Sequence, residues 1–298
     1  MKRGLIVWDK SELPPQVFET RVNRVRRVLA AHDVPAMLVY SDLWRSNQAR
    51  FFSNYMPYFN RALLIVPLQM PPTLLCGLSP RVYGWIRSVT TIEDVRPVRD
   101  FGKSVFELAR ERLWTRLGVL DLEQLPWDIH KALHTNSLDL TSIPSDAVFS
   151  PAADETELLM RRKAAAMAEE ILKEEMPRAV GVIDYEFVGT LERRFRRAGA
   201  EDLIVLVTNG QTVPAPPKGA RLDDNFSVCL AIEYRGHWVR ISRPHAADEL
   251  LRDIACIAAY AERLDGSYPY EIGDGSIGAL HREYRHNGKR LFYGSTSL

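Results

Sequence analysis

The stretch SVCLAIEYRGHWVRISRP, residues 227–244, alternates apolar and polar side chains on both sides of Arg235-Gly236. Alternation with a period of two marks a strand with two unlike faces, and a central pair ending in glycine suits a two-residue reversal. The stretch therefore reads as a β-hairpin in which Glu233 pairs with Trp238, Ala231 with Arg240 and Cys229 with Ser242. One face carries Val228, Leu230, Ile232, Tyr234, Val239 and Ile241, and such a face is expected to pack on helices. The other carries Cys229, Ala231, Glu233, Trp238, Arg240 and Ser242, a mixed surface shaped like a pocket floor, with Cys229 and Arg240 as diagonal neighbours. Two carboxylates on that diagonal would aim their oxygens at one point and hold a hard metal ion. A thiol beside a guanidinium does not, because the guanidinium never loses its proton and has no lone pair to give.

Upstream, a proline-rich loop, TVPAPPKGARLDD (212–224), leads into the hairpin from the strand LIVLVTNG (203–210). Before it, DYEFVGTLERRFRRAG (184–199) reads as a helix that stops at Gly199. Further back, Pro151 and Asp154 start a long helix that runs through an alanine-rich segment to Met176, with acidic residues in its first turn. The change of character at about residues 148–154 is the expected domain boundary. Ahead of it, helical spacing over Gln16–His32 feeds the apolar strand PAMLVY (35–40), and strand and helix patterns then alternate: ALLIVP, TLLC, SPRVYGWIR, TIEDVRPV, KSVFELARERLW, LGVLDL, PWDIHKALH, LDLTSI. The expected fold class is α/β (α+β): an α/β layer over 1–150, followed by a second domain over 151–298. Beyond the hairpin, ELLRDIACIAAYAERL (249–264) and IGALHREYRHNG (277–288) read as helices.

The bulk properties exclude several function classes. The chain has 298 residues, 46% hydrophobic and 26% charged, the balance of a folded soluble protein. With 39 basic against 38 acidic residues the net charge is +1, so there is no electrostatic footprint for nucleic acid or an acidic membrane. The arginine clusters RVNRVRR (21–27) and RRFRR (193–197) fit solvated helix faces. An apolar run of four residues ahead of Asp9 is too short for a signal sequence. Cys76, Cys229 and Cys256 form neither a disulfide framework nor a zinc motif, so a reducing cytoplasm is the expected location.

Taken in order, three segments resemble the creatinase, prolidase and aminopeptidase P family, whose catalytic domain has the pita-bread fold. ETRVNRVRRVLAAHDVPAMLVYSD (19–42) is similar to its amino-terminal domain, DETELLMRRKAAAMAEEIL (154–172) to its linker helix, and EYRGHWVRISRP (233–244) to its first metal hairpin. The resemblance implies that the two hairpin aspartates of metal-dependent members fall on Cys229 and Arg240. It puts the histidine that usually precedes the hairpin near Ala215, and Arg243 on the arginine that commonly closes the motif. The later ligands, a histidine and two glutamates, would lie beyond Leu298, so the second domain is expected to be a truncated pita-bread.

On that resemblance Ala215, Cys229, Glu233, Trp238, Arg240, Ser242 and Arg243 are expected to form a vestigial pocket with no catalytic residue, metal or cofactor. Arg240 would supply the positive charge once carried by metal and pair with Glu233, or else point to water while Cys229 merely packs. His237 falls on the apolar face, His245 just past the hairpin, and His281 and His286 on a helix, none with an acidic partner at useful spacing. A half sheet leaves backbone groups and apolar surface uncovered, so a homo- or hetero-oligomer is expected, with a complete paralogue as one partner. The leading expectation is an inactive structural or regulatory subunit. The alternatives are a metal-free, creatinase-like hydrolase of a C–N bond in a small amidine, amide or Xaa-Pro substrate, and a peptide-binding or protein-binding module that uses the vestigial pocket.

Overall fold

The computed structural model describes residues 7–57, 59–149, 154–209, 214–246, 278–286 and 289–297. The chain divides into two compact units, one built on Met1–Thr156 and one on Glu157–Ile272 with Ser276–Leu298.

In the first unit, helices α1 (Pro15–Ala31), α2 (Asn47–Ser53), α3 (Tyr83–Val89), α4 (Phe101–Glu111), α5 (Trp127–Thr135) and α6 (Ser145–Phe149) alternate with strands β1 (Ala36–Ser41), β2 (Ala62–Pro67), β3 (Thr73–Cys76), β4 (Asp94–Pro97), β5 (Arg116–Leu120) and β6 (Asp139–Ile143). The strands form one mixed sheet in the order β4-β3-β2-β1-β5-β6, with β1/β2 and β2/β3 antiparallel and β3/β4, β1/β5 and β5/β6 parallel. Parallel neighbours need crossover connections, and α4 and α5 are found in that role, packing Phe101, Val105, Leu108, Ile129 and Leu133 against the sheet. β1 and β2 are buried along their whole lengths, which is why they read as continuous apolar runs without alternation. Asp100 caps α4 by accepting a hydrogen bond from the Lys103 N–H at 2.9 Å. Gly102 lets α4 approach α5, since a Cβ there would run into that of Ala132.

The arginine cluster 21–27 departs from the expected solvated face. Arg21 is 1% exposed and Arg24 is buried. Arg21 Nε donates to Asp154 Oδ2 at 2.9 Å, Nη2 to Oδ1 at 3.4 Å and Nη1 to the Phe51 carbonyl at 3.1 Å, with the guanidinium 4.0 Å from the centre of the Phe51 ring. The helix face that charge alone assigns to water is instead filled by a guanidinium whose carboxylate stands 133 positions away.

In the second unit, α7 (Glu155–Glu175) and α8 (Asp184–Ala198) lie on one face of a three-stranded antiparallel sheet, β7 (Asp202–Asn209), β8 (Asn225–Tyr234) and β9 (His237–Ala246). The core combines Ala164, Ala168 and Leu172 of α7 and Phe187, Leu191 and Phe195 of α8 with Val205, Leu230, Ile232 and Val239 of the sheet. Gly199 ends α8 in the left-handed region, φ 103°. At the other end of the helix, Asp184 accepts the Lys218 and Gly219 N–H groups at 2.8 Å each and so ties the proline-rich loop to it.

The segment 277–288, expected to be helical, is instead strand β10 (Gly278–His286), paired antiparallel with β11 (Lys289–Ser297) over nine positions. His281 and His286 therefore lie on a strand. Leu280 and Tyr284 have helical spacing, but the Asn287-Gly288 dipeptide is among the strongest hairpin signals, and pairing with the following segment prevails. The helix expected over 249–264 lies outside the described residues. No helix among the described residues is long and apolar enough to cross a membrane.

Candidate functional site

The hairpin register is the one that alternation dictates: Tyr234 pairs with His237, Glu233 with Trp238, Ala231 with Arg240 and Cys229 with Ser242. Arg235 (φ 52°) and Gly236 (φ 81°) both take left-handed backbone, as a type I′ reversal requires. The Gly236 N–H also donates to Glu201 Oε2 at 3.1 Å, which ties the turn to the start of β7.

Because β7 joins the other edge of β8, the face away from the helices consists of cross-strand rows. Asp202, Glu233 and Trp238 form the first row, Ile204, Ala231 and Arg240 the second, and Leu206, Cys229 and Ser242 the third. The turn end is closed to solvent: Glu233 is 1% exposed, Trp238 6%, and Ala231 and Trp238 pack with Ile204. Toward Cys229 the face opens, and the thiol is half-buried. Asp202, which sequence reasoning missed, faces Glu233 across the sheet and accepts from Arg196 Nη2 at 3.2 Å. No local signal marks it, because its face is set by the register of β7 against β8. The side chains of Arg240 and Ser242 lie outside the described ones, and with them the expected Arg240–Glu233 pair.

Two of the expected pocket residues are placed elsewhere. Arg243 is opposite Val228, on the helix-facing side, and its Nη2 forms an ion pair with Glu169 of α7. Ala215 bridges Val207 on the free edge of β7, where its N–H and C=O exchange hydrogen bonds with Val207 at 3.1 and 2.8 Å. Val207 belongs to the core under the helices, so directly opposed Ala215 shares that side of the sheet. Among the histidines, His237 is buried on the helix-facing side with Nδ1 2.9 Å from the Arg235 carbonyl, and His245 stacks on Phe226 with ring centroids 5.0 Å apart.

The divalent metal that the resemblance implies for catalytic members does not fit these residues. A half-buried thiol and an arginine stand at the two positions that the resemblance assigns to ligands, and among the described residues no three His, Cys, Asp or Glu side chains come together as a metal group. What the face presents is a buried carboxylate–indole corner beside an accessible thiol.

No family model and no curated protein matches the sequence. Solved structures do match the fold. The prolidase of Pyrococcus horikoshii OT3 aligns with a TM-score of 0.64 at 15% identity, over 82% of this chain and 70% of that one. The X-Pro aminopeptidase of Thermotoga maritima MSB8 gives 0.66 at 16%, over 81% and 70%, and the Xaa-Pro dipeptidase of Bacillus anthracis 0.64 at 17%, over 89% and 74%. Identity this low carries architecture and not chemistry. The chain has the fold of the prolidases and X-Pro aminopeptidases, with the mixed α/β organisation of the pita-bread proteins.

Proposed function

We propose that the chain is a non-catalytic counterpart of the X-Pro peptidases whose fold it shares, acting as a structural or regulatory subunit. In this reading the first unit corresponds to the creatinase-like amino-terminal domain and the second to part of a pita-bread domain. One observation carries the proposal: Cys229 and Arg240 stand on one diagonal of the hairpin, the diagonal to which the resemblance assigns the two carboxylates of a metal-dependent peptidase. Burial of Glu233 and Trp238 at the turn end supports it, since a substrate has no room to settle there. The partner is a second copy of the chain or a complete relative, in a cytoplasmic setting.

The test is the mass of the purified chain by light scattering, alone and after co-expression with a complete X-Pro peptidase from the same organism. Metal content and X-Pro dipeptide hydrolysis are read on each peak. The expected result is a mixed complex with metal and activity confined to the partner, or a metal-free, inactive homo-oligomer. Hydrolysis by the chain alone, abolished by Cys229→Ser, overturns the proposal.

A further inference from the structure

In the first unit, helix α5 displays an aromatic ladder that the fold does not need. Trp127 is exposed, its ring stacks on His130 at 5.6 Å and 17°, and His130 stacks in turn on His134 at 6.2 Å and 22°. Residues four apart on a helix share a face. Both imidazoles line one hollow of about 420 Å³, with Asp139 of β6 on its rim. Neither ring is held by a protein hydrogen bond among the described residues, and the Nδ1 atom of His130 is buried without a partner. Two imidazoles one helical turn apart and untethered, beside open space, can reach one metal ion once a ring turns, because the lone pairs of stacked rings run side by side and do not yet converge.

We propose that His130 and His134 form a two-point site for a borderline divalent transition metal, Cu²⁺ bound more tightly than Zn²⁺. Imidazole nitrogen suits both ions, and the order of the pair follows their general affinity for nitrogen ligands. With metal–nitrogen bonds of about 2.0–2.1 Å, ring centroids stand roughly 4.5–5 Å apart at angles between square and tetrahedral, so completing the chelate takes a side-chain rotation that tilts the ring planes toward a common point and brings the rings about 1 Å closer. Since no third protein ligand converges on the pair among the described residues, water fills the remaining positions. A hard cation such as Mg²⁺, which prefers oxygen, does not compete. The site is independent of the hairpin face, so it stands whether or not the chain is catalytic.

The test uses the full chain stripped with a chelator and titrated with Cu²⁺, Zn²⁺ or Mg²⁺, followed by calorimetry and by tryptophan emission. A Cu²⁺ ion held by the pair lies next to Trp127 and quenches it. Wild type is expected to bind one Cu²⁺ more tightly than Zn²⁺, without response to Mg²⁺. His134→Gln, at an exposed position, is expected to weaken Cu²⁺ binding about tenfold or more, because the second imidazole acts at high effective concentration. Trp127→Phe should keep the binding heat and lose most of the quenching, and His32→Gln should change neither. Unaltered affinity in His134→Gln, or undiminished quenching in Trp127→Phe, places the metal elsewhere and overturns the proposal.

Discussion

The Arg21–Asp154 pair permits a prediction whose sign depends on which partner is removed. Arg21 is 1% exposed and Asp154 18%, so water reaches the carboxylate and not the guanidinium. Asp154→Ala deletes both carboxylate bonds and leaves the guanidinium buried, a loss of about 3 kcal/mol at the lower edge of the range for breaking a buried pair. Arg21→Met removes the charge and keeps most of the apolar stem. It deprives the Phe51 carbonyl of a donor and exposes a carboxylate that can hydrate, a loss of about 1–2 kcal/mol. The double variant should resemble Arg21→Met alone, giving a coupling of about 3 kcal/mol in a double-mutant cycle, the full cost of Asp154→Ala. The assay is urea unfolding followed by tryptophan emission, which reports on the first unit because five of the six tryptophans (8, 44, 85, 114 and 127) lie there. With a slope of about 2 kcal/mol/M, Asp154→Ala lowers the midpoint by about 1.5 M. Equal losses in the two single variants, or a double variant equal to their sum, would show that a stranded buried charge is not the source of the cost.

Three further outcomes are expected. Gly102→Ala, despite its better helix propensity, should destabilise the first unit by about 1–3 kcal/mol in the same urea assay, because the new methyl meets Ala132 across the α4–α5 contact. In the hairpin, Arg235→Asn should be neutral or stabilising by a few tenths of a kcal/mol, whereas Gly236→Ala at φ 81° should destabilise by about 1 kcal/mol, both read from thermal unfolding of the second unit. Burial, helped by the neighbouring Cys76, pushes the Tyr83 pKa up to about 12, and burial likewise raises that of Tyr55, whose hydroxyl lies 3.1 Å from the Cys76 sulfur. A folded-state pKa above the unfolded value of about 10 means stability that is full below pH 10 and falls as pH rises through 12. Absorbance titration should therefore show a late tyrosine fraction that disappears in urea, and Tyr83→Phe should reduce it.

Much of this architecture is readable from local pattern. The hairpin could be placed to the residue because its alternation is unbroken and its turn contains glycine, and both signals act within a few positions. Strands β1 and β2 stood out as apolar runs for a comparable reason. What stayed hidden depended on distant partners. Nothing near Arg21 announces Asp154, and nothing near Arg243 announces Glu169. The 277–288 segment reads as a helix by itself, and its pairing with the segment after it decides its state. On the candidate face, Cys229, Glu233 and Trp238 were legible from parity, and Asp202 was not, because its place depends on how β7 is registered against β8.

Arg243 gives the family likeness a different meaning. By sequence it looks like the remnant of a catalytic motif, yet it lies on the helix side of the sheet and clasps α7 through Glu169. A residue so placed serves the scaffold, and its presence says that the hairpin must still dock, with no bearing on whether anything is hydrolysed. The groups that clamp the sheet to its helices keep the fold, and they leave the composition of the opposite face free of that duty.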